Sequence, residues 1–188
     1  MKQNDSVVEI VSIVDQSGSM ELIRNDAIGG FNSFLEQQKA LGGNANLTLV
    51  LFDDRYEVPV NGVALQDVAP LTRETFVPRG WTALYDAIGR ALVELETKNP
   101  AKAIIQIITD GAENGSKEYT RDQIKAKIKA AEDRGWEVIF LAANIDAFAA
   151  GGGLGIAGSN TYAFAANSAG VTEAFASMSL RSSAYRSN

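Results

Sequence analysis

The sequence contains no cysteine and no histidine among its 188 residues. Without these two residue types the chain cannot form a disulfide, a cysteine nucleophile, a Ser-His-Asp triad or the usual kind of zinc site. A metal ion bound by this chain must therefore be held by oxygen atoms, which favours a hard cation such as Mg²⁺, Mn²⁺ or Ca²⁺. The missing cysteines also fit a reducing compartment, so we expect a cytoplasmic location, with a virion component as the alternative.

Charge and hydropathy argue against two classes of partner. The chain carries 17 Lys and Arg against 23 Asp and Glu, a net charge of −6, which is unfavourable for binding a phosphate backbone. No apolar run approaches the ~18–20 residues that cross a bilayer. The acidic residues Asp5 and Glu9 beside the first apolar run are unlike a signal peptide. We therefore expect neither nucleic acid nor a membrane as a partner.

Apolar runs alternate with amphipathic stretches along the chain. Four near-continuous apolar runs are typical of strands buried on both faces. They are residues 7–14, 47–52, 103–109 and 137–143. Four amphipathic stretches predict helices. They are residues 21–41, 83–99, 121–134 and 171–179. A tight turn at 53–55 leads into a strand at 56–60, which predicts an antiparallel hairpin, and residues 160–164 are predicted to be an edge strand.

This alternation predicts an α/β fold that is doubly wound, with a mostly parallel six-stranded sheet and one antiparallel edge strand. The length suits a single domain over residues 1–188, with its core at about 7–179 and a C-terminal tail at 180–188. In such folds ligands bind beyond the carboxyl ends of the strands, so the functional residues are expected there.

Carboxylate and hydroxyl side chains stand at these strand ends. Asp15, Ser17 and Ser19 follow the first strand, Thr82 precedes the second helix, and Asp110 follows the strand at 103–109. The two serines are two residues apart on a curling loop, so both can face one point. Five oxygen ligands leave room for water to complete an octahedral shell, which suits Mg²⁺, with Mn²⁺ or Ca²⁺ as alternatives. With only two carboxylates, the ion can still attract an outside anion, most simply an Asp or Glu of a partner protein.

Each of these residues also has a purely structural explanation. Ser19 and Thr82 stand just before helices and are good N-cap residues. Asp15 or Asp110 alone would be an ordinary loop carboxylate. The combination favours a metal site, because three separate loops place oxygen ligands at matching strand ends.

The pattern Asp15-x-Ser17-x-Ser19, followed by Thr82 and then by Asp110, resembles the metal-ion-dependent adhesion site of von Willebrand factor type A (vWA) domains. The resemblance covers essentially the whole predicted core and includes the order of elements, so it implies the Rossmann-like vWA fold. It implies that the three hydroxyls coordinate the metal directly and that the two carboxylates do so directly or through water. It also implies metal-dependent binding of a protein whose acidic side chain completes the shell.

Residues beside these ligands are candidates for a rim that contacts the partner. They are Gly18, Trp81, Gly111 and Asn114. An exposed Trp81 would suit a contact hot spot, although a Trp in this position also commonly folds onto the adjacent helix. Ser116, Asn144 and Asp146 are further candidates for the edge of the site. The acidic pair at 53–54 is explained better by hairpin-turn chemistry.

The leading hypothesis is a non-enzymatic, metal-dependent protein-interaction domain. The glycine-rich segment after Asp146 and the Ala-rich last helix are most similar to stand-alone vWA domains of bacteria and their phages. One alternative is a structural component of a phage particle or macromolecular complex, in which the metal only stabilises loops. Another is a Mg²⁺-dependent phosphatase-like enzyme. It is disfavoured because Ser17 stands where a phosphoaspartyl hydrolase has its second carboxylate, and because no P-loop motif or free general base occurs.

Overall fold

Six strands form one sheet in the computed structural model, which describes residues 6–143 and 145–188. They are β1 (Val8–Asp15), β2 (Ala45–Phe52), β3 (Tyr56–Ala64), β4 (Lys102–Thr109), β5 (Glu137–Ala143) and β6 (Thr161–Phe164). From edge to edge their order is β3-β2-β1-β4-β5-β6. The β2–β3 hairpin is antiparallel and the other pairs are parallel, which confirms the predicted fold class.

Helices cover both faces of this sheet. They are α1 (Arg24–Ala40), α2 (Leu84–Lys98), α3 (Arg121–Asp133), α4 (Ala147–Gly153) and α5 (Ser168–Ser187). α1 and α5 pack on one face, whereas α2 and α3 pack on the other. The start of α3 is fixed by a capping box between Thr120 and Gln123. Within the described residues, no helix has the length and apolar character needed to span a bilayer.

Alternation along the central strands divides the interior into two cores. On β1, Ile10 and Val14 contribute to the core under α1 and α5, whereas Val11 and Ile13 contribute to the core under α2 and α3. All four side chains are buried. Because both faces of β1 are covered, the strand reads as a continuous apolar run, and this is why its position was predictable.

The predicted C-terminal tail at 180–188 is wrong, because α5 continues to Ser187. Ser182 is buried and its hydroxyl accepts a hydrogen bond from Gln106 Nε2 at 2.9 Å. Arg186 donates to the backbone carbonyl of Gln38 at 2.8 Å. The apolar spacing that predicted this helix stops at Met178. Beyond that point α5 is attached mainly through polar side chains, together with the partly buried Tyr185, and an apolar pattern does not detect them.

Two other boundaries differ from the predictions. A 3₁₀ helix at Gly18–Ile23 precedes α1, where a continuous α-helix from residue 21 was expected. β3 continues to Ala64, past its predicted end at residue 60, and its pairing with β2 is interrupted by register shifts. Such irregularities insert an extra residue into one strand and interrupt its alternation, here at Gly62–Val63, so the pattern predicts only the first part of β3.

Candidate metal site

The carboxyl ends of β1 and β4 lie side by side at the point where the strand order reverses. Val14 pairs with Ile108 in the parallel register, which brings Asp15 next to Thr109 and places Asp110 just beyond it. The loop before α2 reaches the same edge. The three predicted segments therefore meet where ligands bind in doubly wound folds.

Ser17, Ser19 and Asp110 are in direct contact at this edge. The Ser19 hydroxyl donates to Asp110 Oδ1 at 2.7 Å, across 91 residues of sequence. The hydroxyl oxygens of Ser17 and Ser19 are 3.3 Å apart. Ser19 therefore uses its hydroxyl to bind Asp110. The N-cap of the 3₁₀ helix is Ser17, and its side chain makes no capping hydrogen bond.

Asp15 is completely buried and both of its carboxylate oxygens accept hydrogen bonds. Oδ1 accepts from the Ser17 N–H at 2.7 Å, and Oδ2 accepts from the Thr109 hydroxyl at 2.6 Å. Burial raises the pKa of Asp15 from 3.8 to about 6; the Thr109 and Ser17 hydrogen bonds oppose this shift, and the negative charge of Asp110 adds to it. Burial also raises the pKa of Asp110, against the Ser19 hydrogen bond. A cation placed between the two carboxylates would stabilise their charged forms.

Thr82 is buried, and its hydroxyl faces the same glycine as that of Ser19. A Cβ atom added to Gly111 would stand 3.7 Å from Thr82 Oγ1 and 3.8 Å from Ser19 Oγ, so both hydroxyls lie beside this glycine. Thr82 is not the N-cap of α2, because Ala83 occupies that position. The N-cap explanation therefore does not account for Thr82.

The first N–H groups of α2 are satisfied from a different loop. The Glu113 carboxylate accepts from the Tyr85 N–H at 3.1 Å, and the Ser116 hydroxyl accepts from the Asp86 N–H at 3.1 Å. Asp86 in turn accepts three backbone N–H groups, from residues 117–119. The loop after β4 and the start of α2 are consequently held together as one unit.

Asn114, which was predicted to lie on the contacting rim, positions the Thr82 loop. Its side-chain oxygen accepts from the Thr82 N–H at 2.8 Å, and its own N–H donates to the Thr82 carbonyl at 3.0 Å. Ser116 caps α2 as described above, so it too holds the loop. Both contacts connect the loop that carries Thr82 to the loop that carries Asp110.

Gly18 and Gly80 join the loop after β1 to the loop that carries Thr82. The Gly18 N–H donates to the Gly80 carbonyl at 3.2 Å. Gly80 has a φ of +69°, and a Cβ atom at this position would overlap the Asp54 carboxylate. A glycine is therefore required where the Thr82 loop passes the hairpin turn.

The acidic pair at 53–54 has the predicted role in the turn. Asp53 Oδ1 accepts from the Arg55 N–H at 2.6 Å. Its other oxygen pairs with Arg79 Nε at 2.9 Å, and its backbone carbonyl accepts from the Ala83 N–H at 3.0 Å. The hairpin turn thereby supports the loop that carries Thr82. The positive charge of Arg79 compensates Asp53, the third buried aspartate.

The remaining candidates have separate positions. Trp81 is 67% exposed, so its side chain is not buried against α2. Gly18 is exposed and Gly111 is half-buried. Asp146 caps α4, with its carboxylate accepting from the Ala149 N–H at 3.0 Å, and the predicted edge residue Asn144 lies outside the described residues.

Thr109 is the site residue for which the sequence predicted no role. It donates to Asp15, and it also accepts from the Gly111 N–H at 3.2 Å. The apolar runs at 7–14 and 103–109 do not identify this neighbour, because counting from their starts places residue 111 beside Asp15, whereas the observed register pairs Val8 with Lys102. The ligand set itself is all oxygen, and within residues 6–143 and 145–188 no three or more acidic, His or Cys side chains are grouped so that they could hold a metal ion.

Sequence comparisons give no match, either to a protein-family profile or to a curated protein. Solved structures do match. The vWF domain of the type V pili tip protein Mfa5 from Porphyromonas gingivalis is 12% identical with a TM-score of 0.71, over 94% of this chain and 95% of that one. Proximal thread matrix protein 1 from the mussel byssus, with a zinc-occupied MIDAS motif, is 13% identical with a TM-score of 0.71, over 95% and 46%. Manganese-loaded TRAP protein from Plasmodium vivax is 17% identical with a TM-score of 0.69, over 93% and 72%.

These matches establish the fold, which is the vWA fold that the sequence pattern predicted. The chain spans 46% of the byssus protein and less than two thirds of two other proteins that it matches. At identities of 12–17%, the activities and partners of these proteins do not transfer by similarity alone.

Proposed function

We propose that this chain, which has the vWA fold, binds a partner protein through a divalent cation held at the carboxyl ends of β1 and β4. The observation that supports this most directly is the contact of Ser19 with Asp110 at 2.7 Å across 91 residues, beside Ser17. Together with Thr82 and Asp15, these residues supply three hydroxyl and two carboxylate ligands. The cation would neutralise two buried carboxylates and offer a coordination position to the partner.

Mg²⁺ is the proposed cation because the ligand set contains only oxygen. Mn²⁺ and Ca²⁺ accept the same donors and remain alternatives. Two structures with the same fold hold a metal, zinc in the byssus protein and manganese in TRAP, which supports a divalent cation without selecting one.

The proposed ligand on the partner is an Asp or Glu side chain. Two carboxylates balance the formal charge of one divalent ion, so a third carboxylate can bind without the excess repulsion of a more acidic site. With a net charge of −6 on the chain, an acidic partner would dock through the open coordination position of this cation. Similar structures include a pilus tip protein and a byssus matrix protein, which supports a non-enzymatic role. The cytoplasmic location stays a prediction.

The test compares Thr82→Ala with Thr97→Ala. Thr97 is exposed on α2, and its hydroxyl only donates to the Val93 carbonyl. Isothermal titration with MgCl₂ and MnCl₂ measures cation affinity, and pull-down with Mg²⁺ or EDTA measures partner binding. We expect Thr82→Ala to weaken cation binding by at least about 10–100-fold, to lose the partners that EDTA removes, and to unfold at an unchanged temperature in EDTA. Thr97→Ala should behave as the wild type.

Two results would contradict the proposal. Recovery of identical partners with Mg²⁺ and with EDTA would favour an assembly component in which the metal only stabilises loops. The absence of any cation binding by the wild type would remove the site altogether. Substituting the acidic contact residue of a recovered partner by alanine should reproduce the effect of Thr82→Ala.

A further inference from the structure

The two edges of the sheet differ in how open they are to another strand. β3, at one edge, contains Pro59, which has no N–H group, and its pairing with β2 shifts register twice. Proline, charged side chains and such irregularities keep other strands from pairing with an edge. β6, at the other edge, has no proline and no charged residue, and its pairing with β5 runs without a shift. β6 is therefore the edge that can accept a further strand.

A groove of about 510 Å³ lies along β6. β6 pairs only with β5, so alternate backbone N–H and C=O groups on its outer side have no partner strand within residues 6–143 and 145–188. The groove follows β6 as far as Ala165, where the start of α5 packs so closely that a Cβ atom on Gly170 would overlap the backbone. The residues of β6, at about 3.3 Å each, give the groove roughly 13 Å, which is room for a short extended segment.

The groove is apolar on the side of α4. Thr161 faces this helix, because a Cβ atom on Gly151 would stand 3.1 Å from Thr161 Cγ2. Strand alternation then places Ala163 on the same side, where it is exposed. Phe148 of α4 lines the groove and is 58% exposed, so its ring offers apolar surface to a ligand. An apolar side chain of an added strand would cover that ring.

The opposite side of the groove, under α5, is aromatic and acidic. Tyr162 and Phe164 line it and are partly buried against the core under α1 and α5. Glu173 of α5 lines the same side and is exposed. Residues 147–172 contain no charged residue, and no Lys or Arg lines the groove within the described part of the chain. A Lys or Arg of an added strand would therefore meet Glu173 and the aromatic rings without a competing cation.

We propose that this groove binds an extended segment of a partner protein as a seventh strand beside β6, in a segment where basic and apolar residues alternate. Main-chain hydrogen bonds to β6 hold the segment, while its apolar side chains cover Phe148 and its basic side chains face Glu173. The net charge of −6 favours this occupant over a second copy of the chain, which would bring a further −6 and its own Glu173. Because β5 separates β6 from β4, this site is distinct from the proposed metal site and needs no cation.

The test uses the peptide Lys-Val-Lys-Val-Lys-Val, titrated in EDTA by fluorescence polarisation. A peptide with Glu in place of each Lys should bind at least about tenfold more weakly. Two further peptides carry N-methyl groups, one on every Lys and the other on every Val, so each lacks the N–H groups of one edge. Strand addition uses only one edge of the peptide, so one N-methyl peptide should bind at least about tenfold more weakly than the other.

Two pairs of variants locate the binding site. Glu173→Gln removes the acid of the groove, and Glu36→Gln removes an exposed acid from α1, so both change the net charge equally. Phe148→Ala removes the exposed ring, and Leu180→Ala removes an exposed apolar side chain of α5 outside the groove lining. We expect Glu173→Gln to weaken binding of the Lys-Val peptide about threefold and Phe148→Ala about fivefold. The two control variants should bind it as the wild type does.

Equal binding of the two N-methyl peptides, or equal effects of a groove variant and its control, would overturn the proposal. Sedimentation velocity tests the competing occupant. A dimer of the protein alone that Phe148→Ala dissociates, together with no binding of the Lys-Val peptide, would assign the groove to a second copy and overturn the proposal as well. Because every titration contains EDTA, none of these outcomes bears on the proposed metal-dependent function.

Discussion

Two clusters of buried polar side chains lie on the same pair of central strands, and they differ in charge. In the middle of the sheet, the Ser12 hydroxyl donates to Gln106 Oε1 at 2.6 Å, and Gln106 Nε2 donates to Ser182 Oγ at 2.9 Å. We call these three residues the mid-sheet cluster; all of them are neutral. At the carboxyl end, Asp15 and Asp110 bring two carboxylates together with hydroxyl groups. We call this second group the end cluster.

The two clusters also differ in where their hydrogen bonds lead. The mid-sheet cluster ends on the backbone of α5, because the Ser182 hydroxyl donates to the Met178 carbonyl at 2.8 Å. Across residues 6–143 and 145–188, no Lys or Arg forms an ion pair with Asp15 or Asp110, whereas the neighbouring Asp53 is paired with Arg79. Buried charge without a side-chain counter-ion is unfavourable for folding alone. The mid-sheet cluster is therefore internally compensated, whereas the end cluster has charge that the proposed cation would compensate.

Breaking the mid-sheet cluster should have the largest effect on stability. Gln106→Leu leaves the buried Ser12 hydroxyl without its acceptor and removes the donor to Ser182. We expect a loss of about 3 kcal/mol in the free energy of unfolding, measured with urea in EDTA, and an unchanged cation affinity. The double variant Ser12→Ala/Gln106→Leu should recover part of this loss, because it removes the unpaired donor. A weakened cation affinity in Gln106→Leu would show that the two clusters are coupled.

Removing the charge of Asp15 from the end cluster should instead increase the free energy of unfolding. In Asp15→Asn the amide can accept from the Ser17 N–H and donate to Thr109, whose hydroxyl can then donate to the Gly111 carbonyl at 3.0 Å. Without metal at pH 7.5, we expect this variant to be more stable than the wild type by about 2 kcal/mol, since it removes a desolvated charge. Saturating Mg²⁺ should stabilise the wild type and leave the variant unchanged.

The pH dependence follows from the raised pKa of Asp15. The folded protein holds this proton up to about pH 6, whereas the unfolded chain releases it near 3.8. The Asp15 contribution to metal-free stability is therefore lost as pH rises from about 4 to about 6, and the advantage of Asp15→Asn should vanish near pH 4. Urea unfolding in EDTA at a series of pH values measures this. A constant difference across that range would contradict the assigned cause.

The smallest effect is expected at Trp81, which belongs to neither cluster. Because its side chain is 67% exposed, Trp81→Ala should change the free energy of unfolding by less than about 0.5 kcal/mol and leave cation affinity unchanged. Urea unfolding and cation titration measure both quantities. A reduced affinity for a metal-dependent partner would then assign Trp81 to the contacting rim. A loss of more than about 1 kcal/mol in stability would indicate that the ring packs against the fold.

The sequence was most informative where a strand is buried on both faces. β1 and β5 were predicted within one residue, because continuous β-branched runs bounded by polar residues leave few alternatives. The five ligand candidates were identifiable because parallel strands bring their carboxyl ends to one edge. The end of α5 was not predictable, since its buried face beyond Met178 is made of serines whose partners lie on distant segments.

The loop contacts show a second limit of sequence reasoning. Asn114 was predicted to lie on the contacting rim and is exposed, but its hydrogen bonds to the backbone N–H and carbonyl of Thr82 were not predicted. Ser116 and Glu113 bond to the start of α2 in the same way. Such bonds join loops that are about thirty residues apart in sequence and depend on how two helices and a strand are packed. Local composition, which reads as an ordinary turn, contains no information about them.

The long chain separation between Ser19 and Asp110 has a kinetic consequence. Their contact joins the carboxyl ends of β1 and β4, and two strands and two helices lie between the two residues along the chain. A cation that needs both residues recognises the finished central sheet and none of its precursors. Its binding should slow the opening of that sheet, and so extend resistance to proteolysis, while leaving the early steps of folding at the same rate.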